Sequence, residues 1–222
     1  ALSLNFENIR IGVINDANAA LMAELTVGSA KGKQNAVMIT IGTGIGGGVA
    51  VDGKLLSGSN GAAGELGHIV IQRNGKPCSC GRKGCFERYA SATALVELTK
   101  NEIENCKKNS EPTMMALANE INARVAFDSY KNGDEAAKRV IQEYIDALSS
   151  GVVSLINIFQ PDIFVIGGGV SGEKQFLIDL IQPIVDKEDY ARRYEKKTEI
   201  VTAVCGNDAG IIGAAKLALD NK

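Results

Sequence analysis

The chain has no internal repeat, no low-complexity linker, no long charge run and no apolar run of membrane-spanning length. Those absences exclude a repeat array, a disordered tail and a helical membrane protein. It also lacks a basic stripe: 24 Lys and Arg face 26 Asp and Glu, for a formal net charge of −2. A large nucleic-acid footprint within the chain is therefore not expected. The opening residues, Ala1 to Leu4, have neither the basic region nor the apolar stretch of a signal peptide. Histidine is nearly absent, with His68 alone in 222 residues.

What is abundant is apolar residues, at 45%, and glycine, with 25 residues gathered in short runs between apolar segments. That composition supports an ordinary buried core in one large domain or two small ones. Ile9 to Ile14 reads as a strand. Asn15 and Asp16 read as a cap before a helix of strong formers, Ala17 to Leu25. Ala36 to Ile41 reads as a buried strand running into a glycine loop. Val49 to Val51, the turn at Asp52 and Gly53, and Lys54 to Leu56 read as a hairpin. Residues 57–67 read as a loop and Ile69 to Ile71 as a short strand. Ser91 to Lys100, Pro112 to Asn122 and Gly133 to Phe159 read as helical. Asp162 to Ile166 is a strand ending in three glycines, Glu199 to Val204 a last strand and Asp208 to Leu219 a last helix. Helices mixed with short strands place the chain in the α/β class.

Five cysteines are present, and three of them, Cys78, Cys80 and Cys85, fall within eight residues. An odd count with one tight cluster fits a metal site better than a disulfide framework, and points to a cytoplasmic setting. Nine residues separate His68 from Cys78. Three thiolates and one imidazole complete a closed tetrahedral shell, which suits a structural zinc ion. Gly81 and Gly84 allow the tight turns such a shell needs. Cys106 and Cys205 have no partner in this pattern and read as packing residues.

Other segments could carry chemistry. Gly42-Thr43-Gly44-Ile45-Gly46-Gly47-Gly48 follows a strand, so its backbone N–H groups could approach a phosphate, although a glycine hairpin would leave the same pattern. No Gly-Lys-Ser/Thr follows, so it is not a Walker A loop. Asp16, read as a cap, would be held ionised and could take a proton from an alcohol; a plain helix cap is the bland alternative. Glu65 stands three residues before His68 and Glu87 two after Cys85. With zinc on one imidazole nitrogen, the other nitrogen donates, and the two carboxylates accept. That set suits vicinal sugar hydroxyls, the alternative being two solvated glutamates. The Gly167-Gly168-Gly169 run is a generic strand-to-helix turn that could also lie against an adenine or ribose.

In combination, Asn15-Asp16-Ala17-Asn18-Ala19-Ala20, Gly42-Thr43-Gly44-Ile45-Gly46-Gly47, Glu65-Leu66-Gly67-His68 and the cysteine segment ending in Glu87 resemble the ROK family of sugar kinases and repressors. Ile166 to Gly169 and Asn207 to Ala215 resemble its C-terminal end. The resemblance covers nearly the whole chain. It implies an actin/hexokinase-like ATPase (ribonuclease H-like) α/β lobe with a structural zinc site. It also implies ATP-dependent phosphorylation of a hexose, with glucose first, and N-acetylmannosamine, fructose or allose as alternatives. Asp16 would be the general base. Asn15, Glu65, His68 and Glu87 would bind the sugar. Gly42, Thr43, Gly44 and Gly46 would bind phosphate, and Gly167, Gly168 and Gly169 would line the adenosine side. His68, Cys78, Cys80 and Cys85 would hold zinc, magnesium would come with ATP, and the protein would be a cytoplasmic homodimer.

The family's opening Asp-x-Gly-Gly-Thr loop is not found, so the chain is expected to be a C-terminal fragment. Residues 1–15 would end an N-terminal lobe or hinge, 16–206 would form the sugar- and zinc-binding lobe, and 207–222 a helix returning toward the other lobe with an exposed apolar face. A sugar-sensing effector domain of a repressor is the rival from a different functional class. Retention of Asp16 and both carboxylates favours the kinase, since a sensor needs no base. A third, weaker rival is a zinc-stabilised structural domain with no ligand, which leaves the glycine loop unexplained.

Overall fold

The computed structural model describes residues 11–220. Ala1 to Arg10, where the expected strand and hinge begin, lie outside the described residues, as do Asn221 and Lys222. Five strands form one sheet in the order β3-β2-β1-β4-β5. The strands are β1 (Ala36–Ile41), β2 (Ile45–Val51), β3 (Lys54–Leu55), β4 (Ile163–Gly168) and β5 (Glu199–Thr202). β1, β4 and β5 run parallel, and β2 and β3 return antiparallel. Among the described residues seven α-helices accompany them: α1 (Asp16–Thr26), α2 (Glu87–Ala90), α3 (Ala92–Lys108), α4 (Ala123–Lys131), α5 (Glu135–Phe159), α6 (Gln175–Glu188) and α7 (Ala209–Asp220). The mixed α/β sheet agrees with the class read from the sequence.

Both faces of the sheet are covered, and the alternation of β1 explains how. Val37, Ile39 and Ile41 join Val49, Phe164 and Ile166 in the larger core, under α3, α4, α5 and α6. Ala36 and Met38 join Ala50, Ile163 and Val165 in a smaller core under α1 and α7. Because successive side chains point to opposite faces, a strand buried on both sides is apolar along nearly its whole length, as β4 is and as β1 is but for the half-buried Thr40. α5 spans the larger core with a stripe of Val140, Ile141, Tyr144, Ile145, Leu148, Val152 and Leu155, all buried. Its cap is Asp134, which accepts from Ala137 N at 3.0 Å. On the other face α7 crosses α1 closely: a Cβ on Gly213 would collide with the carbonyl of Ala19. Ile211 and Leu219 remain exposed on α7.

Several local expectations are corrected. The hairpin forms, with Asp52 and Gly53 both at positive φ (50° and 73°), but β2 starts at Ile45. Gly46, Gly47 and Gly48 are therefore strand residues, and only Gly42 to Gly44 make the turn. Pro112 to Asn122 is not a helix; it holds a single 3-10 turn, Met114–Leu117. The reason is a competing acceptor: Asp134 takes hydrogen bonds from Thr113 Oγ1 (2.8 Å) and Met114 N, pinning the segment beside the start of α5. Ile69 to Ile71 forms only one bridge, Val70 to Cys85, because its backbone serves the cysteine loop. Residues 11–14 carry no regular structure, and Val13 is 89% exposed, since no described strand pairs with them. α4 and α6 were not foreseen, although Asn122 caps α4 through Arg124 N.

Candidate functional site

The parallel register of β1 and β4 sets Thr40 opposite Gly167 and Ile41 opposite Gly168. Both strands end there, so the turns Gly42 to Gly44 and Gly168 to Gly169 leave the carboxyl edge of the sheet as neighbours. Clefts at this edge are where open α/β sheets bind ligands. Gly168 is at φ 83°, and a Cβ there would overlap the backbone of Ile41. A Cβ on Gly167 would press on the Met38 methyl at 2.7 Å. Glycine at these two positions lets the strands come together.

β2 gathers the remaining site residues. On one face, Gly46 and Gly48 approach the first turn of α1: added Cβ atoms would lie 3.2 Å from Ala17 Cβ and Ala17 O respectively. On the other face, Gly47 packs against Gly64 and Leu66, which flank Glu65, and a Cβ there would meet Gly64 O. Gly67, next to His68, sits against the carbonyl of Ile45, and Gly44 lies beside Glu87 Oε2. The missing side chains at Gly44 and at Gly46 to Gly48 are what allow α1, the 64–68 loop and α2 to converge. Of the three glycines named in the sequence for phosphate contact, Gly42 and Gly44 are in the turn, as is Thr43. Gly46 lies beyond it, facing Thr40 Oγ1 and α1.

The helix cap is Asn15, not Asp16. Asn15 Oδ1 accepts from Ala17 N (2.9 Å) and Asn18 N (3.2 Å). Asp16 is the first helical residue, exposed, with Oδ1 accepting from Ala17 N at 2.8 Å. Asp16 Oδ2 enters none of the described hydrogen bonds, so this carboxylate has an oxygen free to accept from an alcohol. Asn18 Oδ1, buried behind it, has no hydrogen-bond partner. Glu65 is exposed and also has no described partner.

His68, Cys78, Cys80 and Cys85 each offer one atom able to bind a metal, and these four atoms lie within 4.8 Å of one another. Cys80 Sγ and Cys85 Sγ are 3.6 Å apart, as are Cys78 Sγ and His68 Nδ1. Thiolates at about 2.3 Å from a tetrahedral ion are separated by about 3.8 Å, so the residues present fit zinc. The fold of the loop is set by Cys78 N donating to Arg82 O (2.9 Å) and Gly84 N to Lys76 O (2.8 Å). Gly81 and Gly84 are at φ 87° and 82°, the turns their spacing implied. Burial, together with the neighbouring sulfurs, pushes the Cys85 thiol up to about 12. The exposed Cys80 thiol is held below its ordinary value by the backbone N–H of Arg82.

Because His68 Nδ1 faces the thiols, Nε2 is the nitrogen left to carry a proton and donate. Glu87 joins this corner to the glycine turn. Its Oε1 accepts from the Cys78 thiol at 3.2 Å and lies 3.8 Å from His68 Nδ1, while Oε2 reaches toward Gly44. Phe86, beside it, is fully buried against Gly151 of α5. The structure thus brings together Glu87, His68 and the turn, with Asp16 and Glu65 anchored to the same strand.

Sequence reasoning missed how the turn is held. Gly42 O accepts from Ala92 N at 2.9 Å, and Thr43 O accepts from Thr93 Oγ1 at 2.8 Å. Ser91, which caps α3 through Ala94 N, was the available signal that a helix would begin at Ala92. It also missed Glu24, completely buried in α1. That carboxylate accepts from Ser29 N, Ser29 Oγ, Val204 N and Cys205 N, locking α1 to the segment before α7.

Among the described residues no helix is long and apolar enough to cross a membrane. The model of the ROK family matches residues 4–221. A glucokinase of Thermotoga maritima is 38% identical over 209 residues, covering 91% of this chain and 64% of that protein. The chain thus spans a little under two thirds of the length of this curated relative. The crystal structure of a ROK family glucokinase from Streptomyces griseus, in complex with glucose and AMPPNP, superposes with a TM-score of 0.85 at 31% identity. It covers 99% of this chain and 71% of that one. A ROK family transcriptional regulator, a homologue of the E. coli MLC protein, superposes at 0.80 and 32% identity, covering 93% of this chain and 51% of that one.

Proposed function

The chain belongs to the ROK family, and we propose that it forms the sugar- and metal-binding part of a kinase that phosphorylates a hexose with ATP. Glucose is the proposed acceptor, at its primary hydroxyl. The observation that carries this reading is the convergence on β2 and the turn before it: Gly46, Gly47 and Gly48 hold the Asp16 turn and the Glu65 to His68 loop, and Gly44 meets Glu87, around one edge of the sheet.

In the proposed reaction the primary hydroxyl oxygen attacks the γ-phosphorus, and the bond from that phosphorus to the bridging oxygen of ADP breaks. Asp16 orients the hydroxyl and takes its proton. Transition states of this kind are loose, so positioning and charge neutralisation supply most of the rate. Asn15, Glu65, Glu87 and the Nε2–H of His68 bind the remaining hydroxyls. Thr43 N and Gly44 N, which enter none of the described hydrogen bonds, are donors for phosphate. Gly167, Gly168 and Gly169 lie along the adenosine. Magnesium would accompany ATP and neutralise phosphate charge. Zinc on His68, Cys78, Cys80 and Cys85 would fix the imidazole and its tautomer. We place the protein in the cytoplasm, as a homodimer, with residues 16–206 as the ligand-binding unit.

The likeness to a transcriptional regulator favours a second reading, a sugar-sensing effector domain. Acceptor kinases for N-acetylmannosamine or fructose are the alternatives within the first. The deciding experiment is ADP release by the full-length protein with ATP and each sugar in turn. Release with glucose above all others supports the proposal. Release with another sugar moves the acceptor. Sugar binding without ADP release supports the sensor.

A further inference from the structure

We propose that Thr93 is a positioning residue for the turn Gly42 to Gly44, aiming its amide groups at the phosphates of the nucleotide. This rests on reading that turn as the phosphate site. All three turn residues are contacted by the segment that follows Cys85. Glu87 lies against Gly44, Ala92 N donates to Gly42 O, and Thr93 Oγ1 donates to Thr43 O at 2.8 Å.

The consequence follows from peptide geometry. In a trans peptide the C=O and N–H point in opposite directions. Tying Gly42 O to Ala92 N therefore turns Thr43 N away from α3, and tying Thr43 O to the Thr93 hydroxyl turns Gly44 N the same way. Gly42 N closes the turn by donating to Gly44 O at 3.0 Å. The turn's carbonyls are thus all occupied, while Thr43 N and Gly44 N enter none of the described hydrogen bonds. A turn with occupied acceptors and free donors suits an anion. Glycine flanks Thr43 on both sides, so its two peptides could rotate at little steric cost. A rotated peptide 43–44 would present an oxygen to the phosphate in place of a hydrogen. The tether from α3 opposes that rotation. The main chain of Ala92 supplies one tether whatever its side chain; the other depends on the hydroxyl at position 93.

The test uses the full-length protein and the variants Thr93→Val and Thr93→Ser. Valine keeps the shape and removes the donor; serine keeps the donor. Binding of magnesium and AMPPNP is measured by calorimetry, glucose binding likewise, hexose-dependent ADP release by a coupled assay, and Tm by calorimetric scanning. One neutral hydrogen bond corresponds to a three- to tenfold effect. The expected result for Thr93→Val is AMPPNP affinity weaker by about that factor and a raised KM for ATP, with glucose affinity and Tm unchanged. Thr93→Ser should stay within about twofold of the parent. Unchanged nucleotide affinity and KM in Thr93→Val would overturn the proposal. So would a joint fall in nucleotide affinity, glucose affinity and Tm, which would mark a merely structural contact. A parent protein that binds AMPPNP through Thr93 but releases no ADP with any hexose would overturn the kinase reading and keep this one. A parent that binds no nucleotide would overturn both.

Discussion

Ile41 lies opposite Gly168 in parallel register, so close that no side chain fits at position 168. That pairing makes one edge of the sheet carry both glycine turns. The antiparallel return of β2 then brings α1 and the cysteine loop to the same edge.

Replacing Asp16 by Asn removes the proposed base and leaves the cap, since Asn15 supplies the side-chain acceptor for Asn18 N. Helix α1 should stay formed. Sugar affinity of the full-length protein should hold, while turnover falls roughly 10²- to 10⁴-fold. Calorimetric titration with glucose and a coupled ADP assay check this, and unchanged turnover would remove Asp16 from the mechanism.

Chelation should cost sugar affinity before nucleotide affinity. The imidazole of His68 and the carboxylate of Glu87 both face the thiol cluster and lose their orientation with the ion. The tether to the glycine turn has other anchors: Phe86 is buried, and Tyr144 donates to Ala90 O at 2.9 Å. Titrations with glucose and with AMPPNP, before and after chelation, separate the two. Equal loss of both would mean that the metal holds the whole lobe.

Stability should fall in acid, and Glu24 should be one cause. Burial alone would raise its carboxyl, but hydrogen bonds from Cys205 N, Ser29 N, Ser29 Oγ and Val204 N hold it below the ordinary value. Asp162 is held at about 2 by Lys196 and by Asn35 N. A depressed folded pKa gives stability that is present above the unfolded value of about 4 and is lost as pH falls through the folded one. In the same range Glu24→Gln should flatten the decline. At pH 7 it should cost about 1.5–3 kcal/mol, because backbone donors buried with Glu24 lose a charged acceptor. Thermal unfolding of parent and variant between pH 7 and pH 3 checks both; parallel profiles would show that Glu24 carries no pH dependence.

The features legible beforehand are those whose cause lies within a few residues. Asp52-Gly53 reads as a hairpin turn because both positions need positive φ. His68 with Cys78, Cys80 and Cys85 reads as a metal cluster because ligand type and spacing suffice. The apolar runs at β1 and β4 read as strands because both of their faces are buried. The segment Pro112 to Asn122 was misread because the acceptor that stops its helix, Asp134, lies some twenty residues away in sequence. Gly46 to Gly48 were misread as loop. The reason for glycine there is the approach of Ala17 on one face and of Gly64 and Leu66 on the other, which no local pattern reports.

The sequence by itself determined the α/β class, the His/Cys cluster able to hold a metal, the hairpin and the identity of the residues with chemistry to offer. Those depend on residue type and short spacing, which set local dihedrals and donor sets. Tertiary structure alone decided that Glu87 reaches both the thiols and Gly44, and that Thr93 holds Thr43. Each is a contact between segments whose approach is fixed by sheet register and by packing on both faces of the sheet, and such contacts have no signature in the order of residues along the chain.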